Sequence, residues 1–243
     1  MLASATERLP DVLVIGDSHS NALVEGCLAH GLHVEMLRFS GNLWHSGRVV
    51  PSREHGIWTR GLPGMRTAIL SLRERLGGRR VLSPDIPVIG SFGFHLGRLV
   101  PPLGYVGHVA EPAGFAADPN ALHLSRSFLD AYVGHYRAPL VRMAQRMARE
   151  CPLVVVTPPR AQDPANYASV TAILCAQLAG AGVRVFDPAP AICGDGVLDP
   201  AFLLEDGVHG NARYGALVVG MMLEQGLLPR PPSARPPDPL VGR

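Results

Sequence analysis

The run Asp11-Val-Leu-Val-Ile-Gly16 constrains the fold more than any other stretch of the chain. Consecutive apolar residues in a strand point alternately to both faces, so both faces must be covered. A parallel sheet with helices on its two sides provides that cover, and Gly16 allows the chain to turn sharply where the strand ends. Leu153-Val-Val-Val-Thr157 repeats the pattern as the clearest strand of the chain, and Pro158-Pro159 ends it.

Helical periods fill the intervals. Residues 19–30 place Leu23, Cys27 and Leu28 on one face, and residues 65–76 carry Ile69, Leu70, Leu72 and Leu76 before Gly77-Gly78. Residues 125–150 are helical through Leu129, Val133, Leu140, Met143 and Met147, with Pro139 predicting a kink or two helices. Helices are also expected at 165–181 and 211–225, and further strands at 32–39, 85–91 and 183–186. This alternation predicts an α/β fold: a three-layer α/β/α sandwich around a central, mostly parallel five-stranded sheet. Residues 1–228 read as one domain. Residues 92–120, rich in Gly and Pro, read as a long loop, and residues 229–243, with six prolines, as a disordered tail.

Charge excludes some function classes. The 22 basic and 20 acidic side chains of the 243 residues nearly cancel, and the basic ones are scattered. Nothing there draws nucleic acid or an anionic membrane. Residues 1–10 lack the apolar core of a secretory signal, and no apolar run reaches the length of a membrane span. The expectation is a soluble, cytoplasmic protein. Cys27, Cys151, Cys175 and Cys193 match no zinc or redox spacing and are expected to be buried free thiols. His45, His55, His108, His123 and His135 have no metal-ligand spacing, and no phosphate-binding glycine loop occurs. No metal or cofactor is therefore expected. Oligomeric state has no signature in the sequence.

Ligands of parallel sheets bind beyond the carboxyl ends of the strands, so the residues immediately after each strand are the ones to inspect. After the first comes Gly16-Asp17-Ser18-His19-Ser20. Ser18 falls at a helix start, where free N–H groups and the helix dipole favour negative charge. It reads as a nucleophile or as an ordinary capping serine. Before the last helix comes Asp206-Gly-Val-His209-Gly-Asn211. A histidine can take the proton of a serine hydroxyl, and a carboxylate can hold the imidazole in the required tautomer. Asp206 can equally be a surface residue, with His209 or Asn211 capping the helix. Together the two segments supply both halves of a catalytic triad.

On these residues the sequence resembles the SGNH/GDSL hydrolase family. Gly16-Asp17-Ser18 resembles its first block, and Asp206-x-x-His209, with the lead-in from Leu198, resembles its last. The resemblance implies a flavodoxin-like fold, Ser18 as nucleophile, His209 as general base and Asp206 as the residue orienting it. His19 stands where the family name has leucine. This GDSH variant resembles members that act on acylated carbohydrates, which makes His19 a candidate substrate-binding residue.

The family's oxyanion hole implies three donors: the N–H of Ser18, a glycine N–H from a second block and an asparagine side chain from a third. Ser40-Gly41-Asn42, also a turn signal, resembles the second block. The third should read Gly-x-Asn, but the chain has Gly90-Ser-Phe-Gly93-Phe-His95 and no asparagine. One register puts Phe92 in the asparagine position; the preferred one puts His95 there, whose ring N–H can donate. Asn42 is the other candidate amide. Trp44 and Phe94 are candidates to cover a sugar or an acyl chain. Arg160 is a candidate to bind an anionic group or to pair with an acid.

The resulting expectation is a serine esterase or deacylase acting on a small-molecule or carbohydrate ester through an acyl-enzyme. The alternatives are an acyltransferase with the same mechanism, or a non-catalytic binding protein, which the missing asparagine motivates. A nucleotide-binding protein is disfavoured by the absence of a phosphate loop.

Overall fold

A computed structural model describes residues 8–95, 108–109, 122–161, 164–194 and 196–230, with the backbone alone for 108–109, 122–123 and 164–168. The first strand, β1, is Val12–Gly16 and is followed by α1, Ser20–Ala29. Then come β2, Val34–Arg38, and α2, Gly41–His45. A hairpin of β3, Val49–Ser52, and β4, Gly56–Thr59, precedes α3, Pro63–Arg75, and β5, Val88–Ser91. Two short strands, β6, His108–Val109, and β7, Leu122–His123, pair with each other. Next are α4, Arg126–Glu150, β8, Leu153–Val156, α5, Pro164–Gly180, and β9, Arg184–Phe186. The short helix α6, Ala189–Ile192, leads through a single 3₁₀ turn at Pro200–Phe202 to α7, Ala212–Glu224.

Five strands form the central sheet in the order β2-β1-β5-β8-β9, and every pair is parallel. Counted within the sheet alone, the order is 2-1-3-4-5, the flavodoxin-like winding. The period of two in β1 builds both cores. Val12 and Val14 pack with α1 and α7, through Leu23, Cys27, Val218 and Met222. Leu13 and Ile15 pack with α3, α4 and α5, through Leu72, Leu140 and Leu174. Each such side chain contributes about 1.5–3 kcal/mol when fully buried. The three-layer sandwich expected from the sequence is therefore present.

Several expectations need correction. Leu28, assigned to the buried face of α1, is exposed. Of the two outcomes expected around Pro139, a kink or two helices, the second does not occur: Arg126–Glu150 is one helix with Pro139 inside it. Pro139 leaves only the carbonyl of His135 without its helical donor. Residues 40–42 are not an isolated turn, because Gly41 and Asn42 open α2. Of the four thiols, Cys27 and Cys151 are buried, whereas Cys175 and Cys193 are partly exposed; all four are free. The expected loop at 92–120 lies largely outside the described residues, as does the tail beyond residue 230. No helix among the described residues is long and apolar enough to cross a membrane.

Candidate active site

The winding of the sheet reverses at β1, and the chain leaving β1 and β5 there opens a crevice. Gly16 sits at this point for a steric reason: a Cβ on it would lie 2.1 Å from the carbonyl oxygen of Ser91. The N–H of Asp17 donates to that same oxygen at 2.8 Å. Residues 17–19 then form the turn into α1. The Asp17 carboxylate accepts the N–H of His19 at 3.1 Å, which leaves Ser18 exposed at the apex. Burial pushes Asp17 up to about 6, against the opposing pull of that N–H and of the His209 charge.

The opposite wall is the segment before α7. Asn211 caps the helix by accepting the N–H groups of Arg213 and Tyr214. Its amide donates to the carbonyls of Ala201 and Leu203, tying the helix start to the 3₁₀ turn. An antiparallel bridge joins Leu203 and Gly210, and the N–H of Leu204 donates to the carbonyl of His209. Within this frame Asp206 Oδ1 accepts the N–H groups of Val208 and His209, both at 2.9 Å. These donors and the His209 ring hold the carboxyl down at about 2, so it is ionised at neutral pH.

The two walls meet at the imidazole. His209 Nδ1 lies 2.7 Å from Asp206 Oδ2, and His209 Nε2 lies 2.7 Å from Ser18 Oγ. A carboxylate only accepts, so Nδ1 carries the hydrogen and Nε2 is left to accept from the Ser18 hydroxyl. α1 and α7 set the spacing of the two walls, because their backbones touch. A Cβ on Gly215 would lie 1.7 Å from the carbonyl oxygen of Ala22, and one on Gly26 would lie 2.2 Å from that of Gly215.

The other candidate oxyanion donors follow β2 and β5, the two strands that flank β1. Among the described residues the N–H groups of Ser18 and Gly41 have no hydrogen-bond partner. Gly41 is buried, and a Cβ there would come within 2.8 Å of His95 Cδ2, so the His95 ring lies directly on it. His95 itself is exposed, 6.4 Å ring to ring from His45. Asn42 is half-buried, and its Oδ1 accepts the Ser40 hydroxyl at 2.7 Å.

Four substrate-binding expectations fare differently. Trp44 is 1% exposed and stacks on Phe92 with centroids 4.6 Å apart, so its indole is core and offers no face to a sugar. Phe94, 6% exposed, is also core. The His19 ring packs on the His209 ring at 4.6 Å, and its Nδ1 is buried without a hydrogen-bond partner among the described residues. His19 is thus half-buried and packed against the imidazole. Burial, helped by the charges of His209 and His95, lowers it to about 4 and keeps it neutral. Arg160 pairs with no acid among the described residues. Its guanidinium donates to the carbonyl of Gly194 at 3.1 Å, bracing the approach to the 3₁₀ turn. Arg160 also lines a cavity of about 520 Å³ with Thr157, Cys175 and Asp187, at the ends of β8 and β9.

Arg137 escaped the reading of the sequence. It is fully buried in the middle of α4 and donates to the carbonyls of Gly93 and His95, at 3.0 and 2.7 Å. Its position gave a signal: it falls on the apolar stripe Val133, Leu140, Ala144 and Met147, where a solvated arginine has no place. No cluster of His, Cys, Asp or Glu among the described residues has the arrangement of a metal site.

No family model and no curated protein matches the chain. Among solved structures it is similar to a presumptive acylhydrolase from Bacteroides fragilis, with 16% identity over 92% of this chain and 91% of that one and a TM-score of 0.44. It is also similar to an extracellular lipase from Streptomyces rimosus, with 14% identity over 86% of this chain and 98% of that one and a TM-score of 0.43.

Proposed function

We propose that the protein is a serine hydrolase of the SGNH/GDSL type that cleaves a small acyl ester. The observation that carries this reading is the unbroken chain from Asp206 through His209 to Ser18, with both links at 2.7 Å. Ser18 Oγ attacks the ester carbonyl carbon while its proton passes to His209 Nε2. The imidazolium is stabilised by the ionised Asp206. The tetrahedral oxyanion is received by the N–H groups of Ser18 and Gly41 and by the His95 ring, with the Asn42 amide beside them. On collapse the C–O bond to the alcohol breaks, and His209 returns the proton to the leaving oxygen. Water, deprotonated by His209, then releases the acid from Ser18. No step requires a metal or cofactor.

The exposed Ser18 and open triad suit an ester carried on a larger alcohol. With the GDSH resemblance, this makes an acetylated carbohydrate the substrate class to test first. The same mechanism with an alcohol acceptor in place of water would make the protein an acyltransferase. The non-catalytic alternative rests on the absent third-block asparagine; the placement of His95 on Gly41 weighs against it.

The deciding experiment measures hydrolysis of p-nitrophenyl acetate and of acetylated oligosaccharides by the purified protein, Ser18→Ala and His209→Ala. Turnover, and fluorophosphonate labelling lost in Ser18→Ala, are the expected results. A wild-type protein that neither turns over nor is labelled would refute the hydrolase reading.

A further inference from the structure

We infer that Arg137 is a positioning residue for the oxyanion side of the site, acting through residues 93–95; this rests on the hydrolase reading above. These residues cross from β5 to the surface and end at His95, whose ring covers Gly41. Gly93 has φ +98°, which glycine reaches as easily as its other conformations, so the backbone there does not by itself select this path. α4 holds it from behind with two residues one turn apart. Leu140 packs so closely on Gly93 that an added Cβ would lie 2.3 Å from its Cδ2. Arg137 donates from Nε to the carbonyl of Gly93 and from Nη2 to that of His95.

Those two nitrogens lie on one edge of a rigid plane, so the two carbonyls are fixed relative to each other as well as to α4. One of them belongs to His95 itself. Displacement of the segment would therefore move the His95 ring off Gly41. A lysine keeps the charge but presents a single ammonium, which cannot hold both carbonyls in this geometry. Arg137 does not touch the reacting atoms. Its contribution is the placement of the group that does.

The test compares Arg137→Lys and Arg137→Gln with Met147→Val, which perturbs the same helix in the core away from residues 93–95. Three quantities are read on each: Tm, kcat and KM for p-nitrophenyl acetate, and the His95 ring resonance by NMR, with His33 as a remote control. The Arg137 variants are expected to shift the His95 resonance and to lower kcat about 10- to 100-fold, with KM changed less than about twofold. Met147→Val is expected to lower Tm alone. If the Arg137 variants behave as Met147→Val does, with kcat and the His95 resonance intact, the inference is overturned. If the wild-type protein shows neither turnover nor labelling at Ser18, the hydrolase reading fails instead. The His95 resonance then decides alone whether Arg137 holds the segment.

Discussion

Gly215→Ala tests whether the contact between α1 and α7 sets the triad. Ser18 lies just before α1 and His209 just before α7, so the separation of the two helices fixes the separation of these two side chains. A Cβ on Gly215 would fall 1.7 Å from the Ala22 carbonyl oxygen, whereas real Cβ atoms essentially never come closer than 3.0 Å. The obstacle is backbone and cannot rotate aside, so α7 must retreat by roughly 1.3 Å, the shortfall between those distances. Carried to the site, this stretches the 2.7 Å link between Ser18 and His209 to about 4 Å, beyond hydrogen-bond reach. A misplacement of about 1 Å costs on the order of 100-fold in rate. Overpacking costs about 1–3 kcal/mol, which for a chain of this size lowers Tm by roughly 2–12 °C. The assay is kcat/KM on p-nitrophenyl acetate beside a calorimetric Tm. A variant whose Tm falls by this amount while kcat/KM stays at the wild-type value would refute the argument.

The same geometry sets further expectations. Asp17 has a folded pKa near 6 against an ordinary value of 3.8, so the folded state holds the extra proton between those values and loses stability as pH rises through 6. Asp17→Asn is therefore expected to gain up to about 3 kcal/mol over wild type at pH 8 and almost nothing at pH 3.5, read from denaturant melts at both. Asp206 is ionised above about pH 2, so it adds no ionisation to the pH–rate profile above pH 4. Asp206→Asn should lower kcat by about 10⁴-fold through loss of the correct imidazole tautomer. His95→Leu is expected to cost roughly 100- to 1,000-fold in kcat, and His95→Asn to retain most of it, because one has no donor and the other does. Burial pushes Cys27 and Cys151 up to about 12, so iodoacetamide at pH 8 should modify neither until denaturant is added, as peptide mapping would report.

The parts of this protein visible in its sequence are those with a local period or a local motif. β1 was legible because Val12 to Ile15 leave no face for solvent, and the residues of both site walls because each motif is contiguous. The β3–β4 hairpin was not. It has four residues a side, a proline at position 51 and a turn held by Gly56 at φ +83°, all weak signals in isolation. The meeting of α1 and α7 was also illegible. It depends on Gly26 and Gly215, 189 positions apart, and a lone glycine in a helix does not name its neighbour. Arg137 stood out only against the stripe of α4, and what it holds lies more than 40 residues earlier.

The segment from Gly90 to His95 shows how packing sorts side chains that the sequence leaves open. Two registers were possible from the sequence, with Phe92 or His95 in the asparagine position. The Phe92 ring is 1% exposed and stacked on Trp44, so it is committed to the core. Phe94 is buried as well, which leaves His95 as the first side chain of the segment to reach the surface, directly over Gly41. Trp44 lies in α2, the helix that Gly41 opens. The Trp44–Phe92 stack therefore joins the helix bearing the Gly41 N–H to the segment bearing His95. An aromatic residue that the sequence suggested for contact with substrate instead ties α2 to the segment of His95, and it does so from inside the core, where its own position varies least.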